Sequence, residues 1–466
     1  DLIHSGNDTI VIGIPASGKT TMLMQLASGM ESEKPKHILY TPTIAEVDRY
    51  CKMVGNENVM VFVDNCLNDY RALVQLMKKT TIQVIGFERD NRYESIAYRL
   101  MESGLRFELY DVSEVSEQDI TRIIGSIPKG MFSGKIIELK DNTIFETIRK
   151  HTKVPVMEDR FADVLRDLYS YDEKATELFL MISYVHSCGV PVSYDMIYSY
   201  LEEDNYQDVY RDIKNIGKLI TECYNQDFGF LGEISLDDQD YYKCRTRYLA
   251  ELIIQKVPNY KLMRLVLNKF VERVPVFKIC RYDIFKSSAF DADIVTRYFT
   301  KYEDGIEFYK KCLEIEDSAF MYQQIALYAS RKRKYSDAFR WIDKAKNCEK
   351  RNIFSIRNTH AIILFNANIS KENEDGSVIA TLHQSLEILK DCYKNDLRKG
   401  FHARIFGELV LKFYETYGYD EVEKYIETAN EWLEIEMASK SNGNTSIKKM
   451  RQVKKDIEKK IILPNS

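Results

Sequence analysis

The sequence predicts an α/β domain with a parallel sheet, then a short helical unit closed by a hairpin, then an all-α array. Three observations predict this order. Residues 9 to about 150 alternate β-rich runs with helical patterns; residues 156 to 254 place helical patterns before two strand-like runs; residues 259 to 460 carry aromatic and aliphatic side chains at spacings of three and four. A chain of 466 residues has room for roughly three domains of about 150 residues each.

In the first region the β-rich runs are "TIVIG" (9 to 13), "HILYTPT" (37 to 43), "NVMVFVD" (58 to 64), "TIQVIGF" (81 to 87) and "RFELYDV" (106 to 112). Helical patterns fill 20 to 29, 44 to 53, 68 to 79 and 92 to 102. Strands alternating with helices at these lengths are most economically joined as parallel strands with helical crossovers. Such a sheet needs both faces covered.

The second region opens with a helix over 172 to 186, ending near Gly189-Val190-Pro191. Ser193 has the side chain to cap a second helix running to Leu201, and 207 to 222 reads as a third. Then "DFGFLGEISLDDQDYYKCR" reads as two short strands about an Asp-Asp turn. Three helices followed by a hairpin outline a winged helix, closed by a further helix over 247 to 255 before Pro258.

In the third region "AFMYQQIALYASRKRKYSDAFRWIDKAKN" aligns with a two-helix repeat. Tyr322, Ile325 and Ala326, then Tyr335, Ala338, Ile342 and Ala345, give the large-large-small and aromatic-small-large-small spacing of the 34-residue unit. The small residues let paired helices approach closely. A looser copy, "FHARIFGELVLKFYETYGYDEVEKYIETANEWLEI", carries Gly407, Tyr419, Tyr425 and Ala429. Because isolated helix pairs need neighbours to bury their faces, the expectation is a helical-repeat superhelix. The predicted boundaries are 1–150, 151–258 and 259–466.

Composition excludes several classes. The formal charge of -5 gives no global reason to expect nucleic acid. Nine cysteines stand at least fifteen residues apart, without a CxxC pair, which fits reduced thiols in the cytoplasm. The longest apolar runs are short, such as "VMVFV" (59 to 63), far below the roughly 20 residues a membrane helix needs. The seven histidines have no metal-ligand spacing. No Gly-x-Ser-x-Gly elbow supports a serine hydrolase.

The strongest chemical signal is the run Gly13, Ile14, Pro15, Ala16, Ser17, Gly18, Lys19, Thr20, followed by Thr21, at the junction of a β-rich run and a helix. The glycines let the backbone fold into a nest whose N–H groups face phosphate oxygens; Lys19 adds a positive charge and Thr20 a hydroxyl for Mg²⁺. The helix that follows adds its positive end. This is a P-loop, so the first region is read as a P-loop NTPase domain.

A P-loop also needs an acid at the end of a neighbouring strand for the magnesium shell, and "VMVFVDN" supplies Asp64. Asn65 follows it. An amide can orient an attacking water but cannot take its proton, so slow turnover is expected unless another acid, such as Asp69 or Glu88, compensates. Arg89 in "VIGFERDN" leaves the sheet on the same side as Lys19 and Asp64, where a guanidinium would sense the γ-phosphate. Its bland alternative is a surface pair with Asp90. No guanine-selective NKxD element occurs, which favours ATP and ADP. A small-molecule kinase would need an arginine lid, for which only "RYESIAYR" offers material.

This order of parts resembles the signal-transduction NTPases with numerous domains, the STAND family, and within it bacterial antiphage sensors. The matching segments are "GIPASGKTT" (13 to 21), "VFVDN" (61 to 65), "GFERD" (86 to 90) and "CRTRYLAELI" (244 to 253). The resemblance implies a switch held off by ADP or a domain contact. Carboxy-terminal repeats would recognise a trigger, such as a phage protein. ATP would then support homo-oligomerisation, a tetramer or larger, and activate an effector carried before the P-loop or by a partner. Many members contact the ADP β-phosphate with a winged-helix histidine, a job that Arg245 or Arg247 would take here unless this domain does not lock the nucleotide.

Two residues depart from the family pattern: Asn65 stands where a second acid is usual, and Thr246 follows Arg245 where many members have histidine. Both weaken the case for strong ADP autoinhibition. Eight residues before Thr9 leave no room for an effector, so a fragment of a longer chain is expected.

A winged helix also binds DNA in transcription regulators, the main alternative. Its third helix, "QDVYRDIKNIGKLITE", mixes Arg211, Lys214 and Lys218 with Asp208, Asp212 and Glu222, closer to a solvated face than a recognition surface. The basic run "SRKRKYS" (330 to 336) falls between two repeat helices, where a wet turn is the ordinary explanation.

Overall fold

The computed structural model describes residues 6–14, 17–112, 117–126, 168–170, 172–202, 206–217, 220–223, 240–244, 247–257, 259–348, 353–369, 376–396, 398–438 and 445–460. The chain divides into two compact units, one built mainly on Asp1–Met157 and the other mainly on Glu158–Cys223 and Gln239–Glu434.

The first unit is a five-stranded sheet with helical crossovers. Its strands are β1 (Thr9–Gly13), β2 (Lys36–Tyr40), β3 (Val59–Asp64), β4 (Ile82–Arg89) and β5 (Glu108–Asp111). The helices are α1 (Lys19–Gly29), α2 (Ile44–Val54), α3 (Tyr70–Met77), α4 (Asp90–Glu102) and α5 (Glu117–Ser126). Every strand pairing is parallel, in the order β2-β3-β4-β1-β5. β4 thus lies between the strand that leads into the glycine loop and the strand that ends in Asp64.

Cover on both faces explains why the central strands β1, β3 and β4 are mostly apolar. Ile10, Ile12, Val61, Val63 and Val84 face a core shared with Val47, Leu73 and Leu100 of α2, α3 and α4. Val11, Phe62, Ile85 and Phe87 face the other side, against Leu23 of α1. α2 starts at a capping box: the Thr43 hydroxyl accepts the Glu46 N–H, and the Glu46 carboxylate accepts the Thr43 N–H at 2.6 Å. Predicted and observed element ends agree to within three residues, and where they differ it is because the ends depend on caps such as Asp69 before α3.

The second unit opens with α6 (Glu173–Ser187), β6 (Val192–Ser193), α7 (Tyr194–Leu201), α8 (Tyr206–Asn215), β7 (Ile220–Cys223), β8 (Tyr241–Cys244) and α9 (Arg247–Lys256). The three strands form an antiparallel sheet in the order β6-β8-β7. Ser193 caps α7 as expected, its hydroxyl accepting the Met196 N–H at 3.2 Å.

One expectation is corrected here. The helix predicted over 207 to 222 stops at Asn215, and Ile220–Cys223 is a strand instead. Gly217 breaks the helical run, and the β-branched pair Ile220-Thr221 finds a partner in β8. Most of the predicted strand-turn segment between these strands, 224 to 239, lies outside the described residues.

Helices continue as α10 (Tyr260–Arg273), α11 (Tyr282–Ala289), α12 (Ala292–Tyr298), α13 (Tyr302–Ile315), α14 (Ala319–Arg331), α15 (Tyr335–Cys348), α16 (Ile353–Asn368), α17 (Gly376–Asn395), α18 (Lys399–Tyr417), α19 (Glu423–Ala438) and α20 (Thr445–Lys460). One core draws on residues from Ala175 to Tyr328, on both sides of position 258. The window singled out in sequence is the helical hairpin α14-α15: Ile325, Ala326, Ala338, Ile342 and Ala345 are buried. Arg333 turns the chain between its helices at φ 57°, and the Lys334 N–H donates to the Ala329 carbonyl at 2.9 Å. Gly407 on α18 permits close packing, since a Cβ there would lie 2.9 Å from Val453 Cγ1 and 3.3 Å from Leu433. Among the described residues, no helix is long and apolar enough to cross a membrane.

Candidate functional site

Register places the chemistry at one edge of the sheet. Gly13 at the end of β1 is the partner of Arg89 at the end of β4, and Asp64 at the end of β3 is the partner of Phe87. All three lie at the carboxyl ends of parallel strands, where ligands of such sheets sit.

The glycine loop has a definite geometry. Ser17 N–H donates to the Ile14 carbonyl at 3.2 Å, and Gly18 turns into α1 at φ 87°, a left-handed conformation that glycine adopts without strain. Gly13 has a separate role. A Cβ there would come within 2.5 Å of Ser17 Oγ, so only glycine lets the loop fold back this tightly. α1 then starts with no side-chain cap and no acidic residue in its first turn. Its amino-terminal end is chemically suited to an anion.

Lys19 opens α1 and extends its Nζ into the loop, donating to the carbonyls of Gly13 (2.7 Å) and Ile14 (2.8 Å) and to Ser17 Oγ (3.2 Å). Burial, and then the charge of Arg89, push its pKa down to about 8, against the opposing pull of Glu88, Asp90 and Asp64. The same interactions show that Arg89 and Asp64 lie within electrostatic reach of Lys19. Thr21 is exposed on α1.

Thr20 and Asp64 meet directly: the hydroxyl donates to Asp64 Oδ2 at 3.2 Å. Asp64 is 9% exposed, and its other oxygen accepts the Asn65 N–H at 3.1 Å. Burial raises its pKa, while the Thr20 and Asn65 hydrogen bonds and the charges of Lys19 and Arg89 lower it. A hydroxyl and a carboxylate side by side suit Mg²⁺, which takes one or two protein oxygens and fills its octahedron with water and phosphate. Among the described residues, no cluster of three or more His, Cys, Asp or Glu could form an all-protein metal cage.

Asn65 adopts φ 49°. Asparagine tolerates this region better than most residues, so backbone geometry offers a second reason for an amide here. The two acids named as compensating bases are occupied otherwise. Asp69 caps α3 by accepting the Arg71 N–H at 3.2 Å, and also accepts the Ile44 N–H at 3.0 Å. Glu88 accepts the N–H groups of Leu67 (2.8 Å) and Arg89 (2.7 Å). Sequence reasoning did not identify this bridging role; the only hint was Gly86, a glycine inside a strand. Asp90 is 0% exposed, so it is not a surface acid.

Pro15, Ala16 and Arg245 lie outside the described residues. The structure thus brings together Gly13, Ile14, Ser17, Gly18, Lys19, Thr20, Asp64, Asn65 and Arg89.

No protein-family model and no curated protein matches the chain. Among solved structures, the chain is similar to a signal transduction ATPase with numerous domains (STAND) protein with a tetratricopeptide repeat sensor from Pyrococcus horikoshii. The two are 14% identical with a TM-score of 0.26, over 98% of this chain and 84% of that one.

Proposed function

We propose that this chain is the nucleotide-operated switch of a STAND-type defence sensor, binding ATP and ADP with Mg²⁺ at the edge formed by β1, β3 and β4. One observation carries the reading: Lys19, the Thr20–Asp64 hydrogen bond and Arg89 converge from three elements, α1, β3 and β4, on one loop-helix junction. In this reading the loop and Lys19 hold the β- and γ-phosphates, and Thr20 and Asp64 hold the magnesium shell. Arg89 distinguishes ATP from ADP, because hydrolysis removes its partner. Arg245 is the candidate contact to the β-phosphate of ADP. With Asn65 beside Asp64, hydrolysis is slow.

The remaining parts follow the same proposal. Residues 1–150 form the P-loop NTPase domain, 151–258 a linker and winged helix, and 259–466 a TPR-like sensor. The succession α6, β6, α7, α8, β7, β8 with the antiparallel order β6-β8-β7 supports the winged helix. The buried alanines of the α14-α15 hairpin support the repeats. The sensor binds a trigger, proposed to be a phage protein in the cytoplasm, and ATP-bound oligomers activate an effector upstream or in a partner. Transcriptional control through DNA is less well supported, because Arg211 on α8 is paired with Asp208 at 2.8 Å.

Lys19→Ala tests the proposal. Calorimetry should show loss of ATP and ADP binding, and triggered signalling in cells should disappear, with helical content retained by circular dichroism. Normal nucleotide binding by this variant would defeat the reading.

A further inference from the structure

Glu88 precedes Arg89 on β4 and is 2% exposed. Its Oε1 accepts the Arg89 N–H at 2.7 Å and its Oε2 accepts the Leu67 N–H at 2.8 Å. Leu67 lies in the turn after β3, three residues beyond Asp64. One buried carboxylate therefore joins the backbone that carries Arg89 to the turn that carries Asp64 and Asn65.

Two further contacts fit this turn to β4. Cys66 N–H donates to the Phe87 carbonyl at 3.1 Å. The Cys66 side chain packs where Gly86 has no Cβ; an added one would lie 2.8 Å from its Sγ. Lys19 and Arg92 both lie within electrostatic reach of Glu88. The turn then leads through Asn68, whose N–H donates to the Asn65 carbonyl at 3.1 Å, into Asp69 and α3. A displacement at Arg89 has a short hydrogen-bonded route to the Asp64–Asn65 turn and onward to a helix.

We propose that Glu88 is a positioning residue that couples the response of Arg89 to a γ-phosphate with the placement of the Asp64–Asn65 turn. The coupling rests on the reading that this site takes ATP and ADP. It also assigns Glu88 a role other than water activation, since both of its oxygens accept backbone amides. Because the turn starts α3, the difference between tri- and diphosphate reaches the outer layer of the sheet through this carboxylate.

The test uses the full chain, fluorescent ATP and ADP analogues with Mg²⁺, and Glu88→Gln. Glutamine offers one acceptor oxygen where glutamate offers two, and turns an N–H donor toward the other amide. The preference for ATP over ADP should fall about tenfold, within the usual size of a coupling between sites. Hydrogen exchange on the wild-type chain is independent of how well the variant folds: residues 65 to 69 and 87 to 91 should change protection together between ATP and ADP. Wild-type discrimination by Glu88→Gln overturns the proposal, and so does a response at 87 to 91 without one at 65 to 69. A wild-type chain that binds neither nucleotide overturns the underlying switch reading as well, which separates the two failures.

Discussion

Thr20 and Asp64 are 44 positions apart in the chain, yet the hydroxyl of one donates to the carboxylate of the other at 3.2 Å. The sheet order makes this meeting possible. β4 spaces β1 from β3, so the first turn of α1 crosses over β4 to reach the end of β3.

If this pair anchors Mg²⁺, then Asp64→Asn should remove most of the metal dependence of ATP binding. The amide keeps the shape and an acceptor for Thr20 but loses the charge. The Mg²⁺-dependent gain in ATP affinity should drop about tenfold, the scale of one lost charge-assisted interaction. Affinity measured in EDTA should not fall, because a negative charge beside the phosphates is gone. Titration calorimetry with and without Mg²⁺ checks both; an unchanged metal dependence would place the ion elsewhere.

Asn65 should separate backbone strain from chemistry. At φ 49°, Asn65→Ala should lower unfolding stability by about 1 kcal/mol and Asn65→Gly should cost less, as left-handed conformations dictate. Asn65→Asp keeps a residue that tolerates this region and adds a group able to accept a proton. It should raise ATP turnover on the order of tenfold or more. Urea denaturation reads the first effect and phosphate release the second. A stable Asn65→Asp chain with unchanged turnover would show that the missing acid is not what limits hydrolysis.

The sheet was legible because its buried strands are nearly continuous apolar runs, and Gly18-Lys19-Thr20 sits where such a run meets a helix. The polar ends were legible for the same reason: Asp64 follows one apolar run directly and Glu88-Arg89 follows another, and parallel strands send those ends to one edge. What sequence hid depends on partners distant in the chain. Ile213, Ile216 and Ile220 keep a helical spacing across Gly217, so β7 read as helix until β8 supplied its ladder. Glu88 read as a free acid because nothing local shows that Leu67 and Arg89 aim their amides at it. Asn65 read as a chemical choice because its φ follows from the turn that brings Cys66 onto Gly86.

In the helical unit, Gly305→Ala tests packing at the start of α13. A Cβ there would lie 2.2 Å from the Tyr328 hydroxyl oxygen. Tyr328 cannot easily withdraw: it is 0% exposed, its ring stacks on Tyr302 at 5.9 Å, and its hydroxyl donates to the Lys301 carbonyl at 3.1 Å. Overpacking of this kind costs about 1–3 kcal/mol, which should appear as a lower urea midpoint. Gly407→Ala should cost less, because its nearest neighbours are the ends of Val453 and Leu433 side chains at 2.9 and 3.3 Å. Equal midpoints for Gly305→Ala and wild type would contradict the packing described for Tyr328.

The pH dependence of nucleotide binding should follow Lys19. Burial first and Arg89 second bring its pKa down to about 8 in the free protein. Phosphate oxygens beside the ammonium favour its charged form, so binding raises the value. At about pH 7 Lys19 is charged in both states, and its titration contributes little proton exchange. Between about 8 and the bound value, binding takes up a proton, and affinity falls by up to tenfold for each pH unit. Calorimetry at about pH 7 and about pH 9, in two buffers of different ionisation enthalpy, should therefore show weaker binding and proton uptake at the higher pH. Lys19→Met removes the titrating group, so whatever weak affinity it keeps should be nearly flat across that window. Proton release at the higher pH, or a variant with the same slope as wild type, would mean that another group sets the profile and that Lys19 does not meet the phosphates.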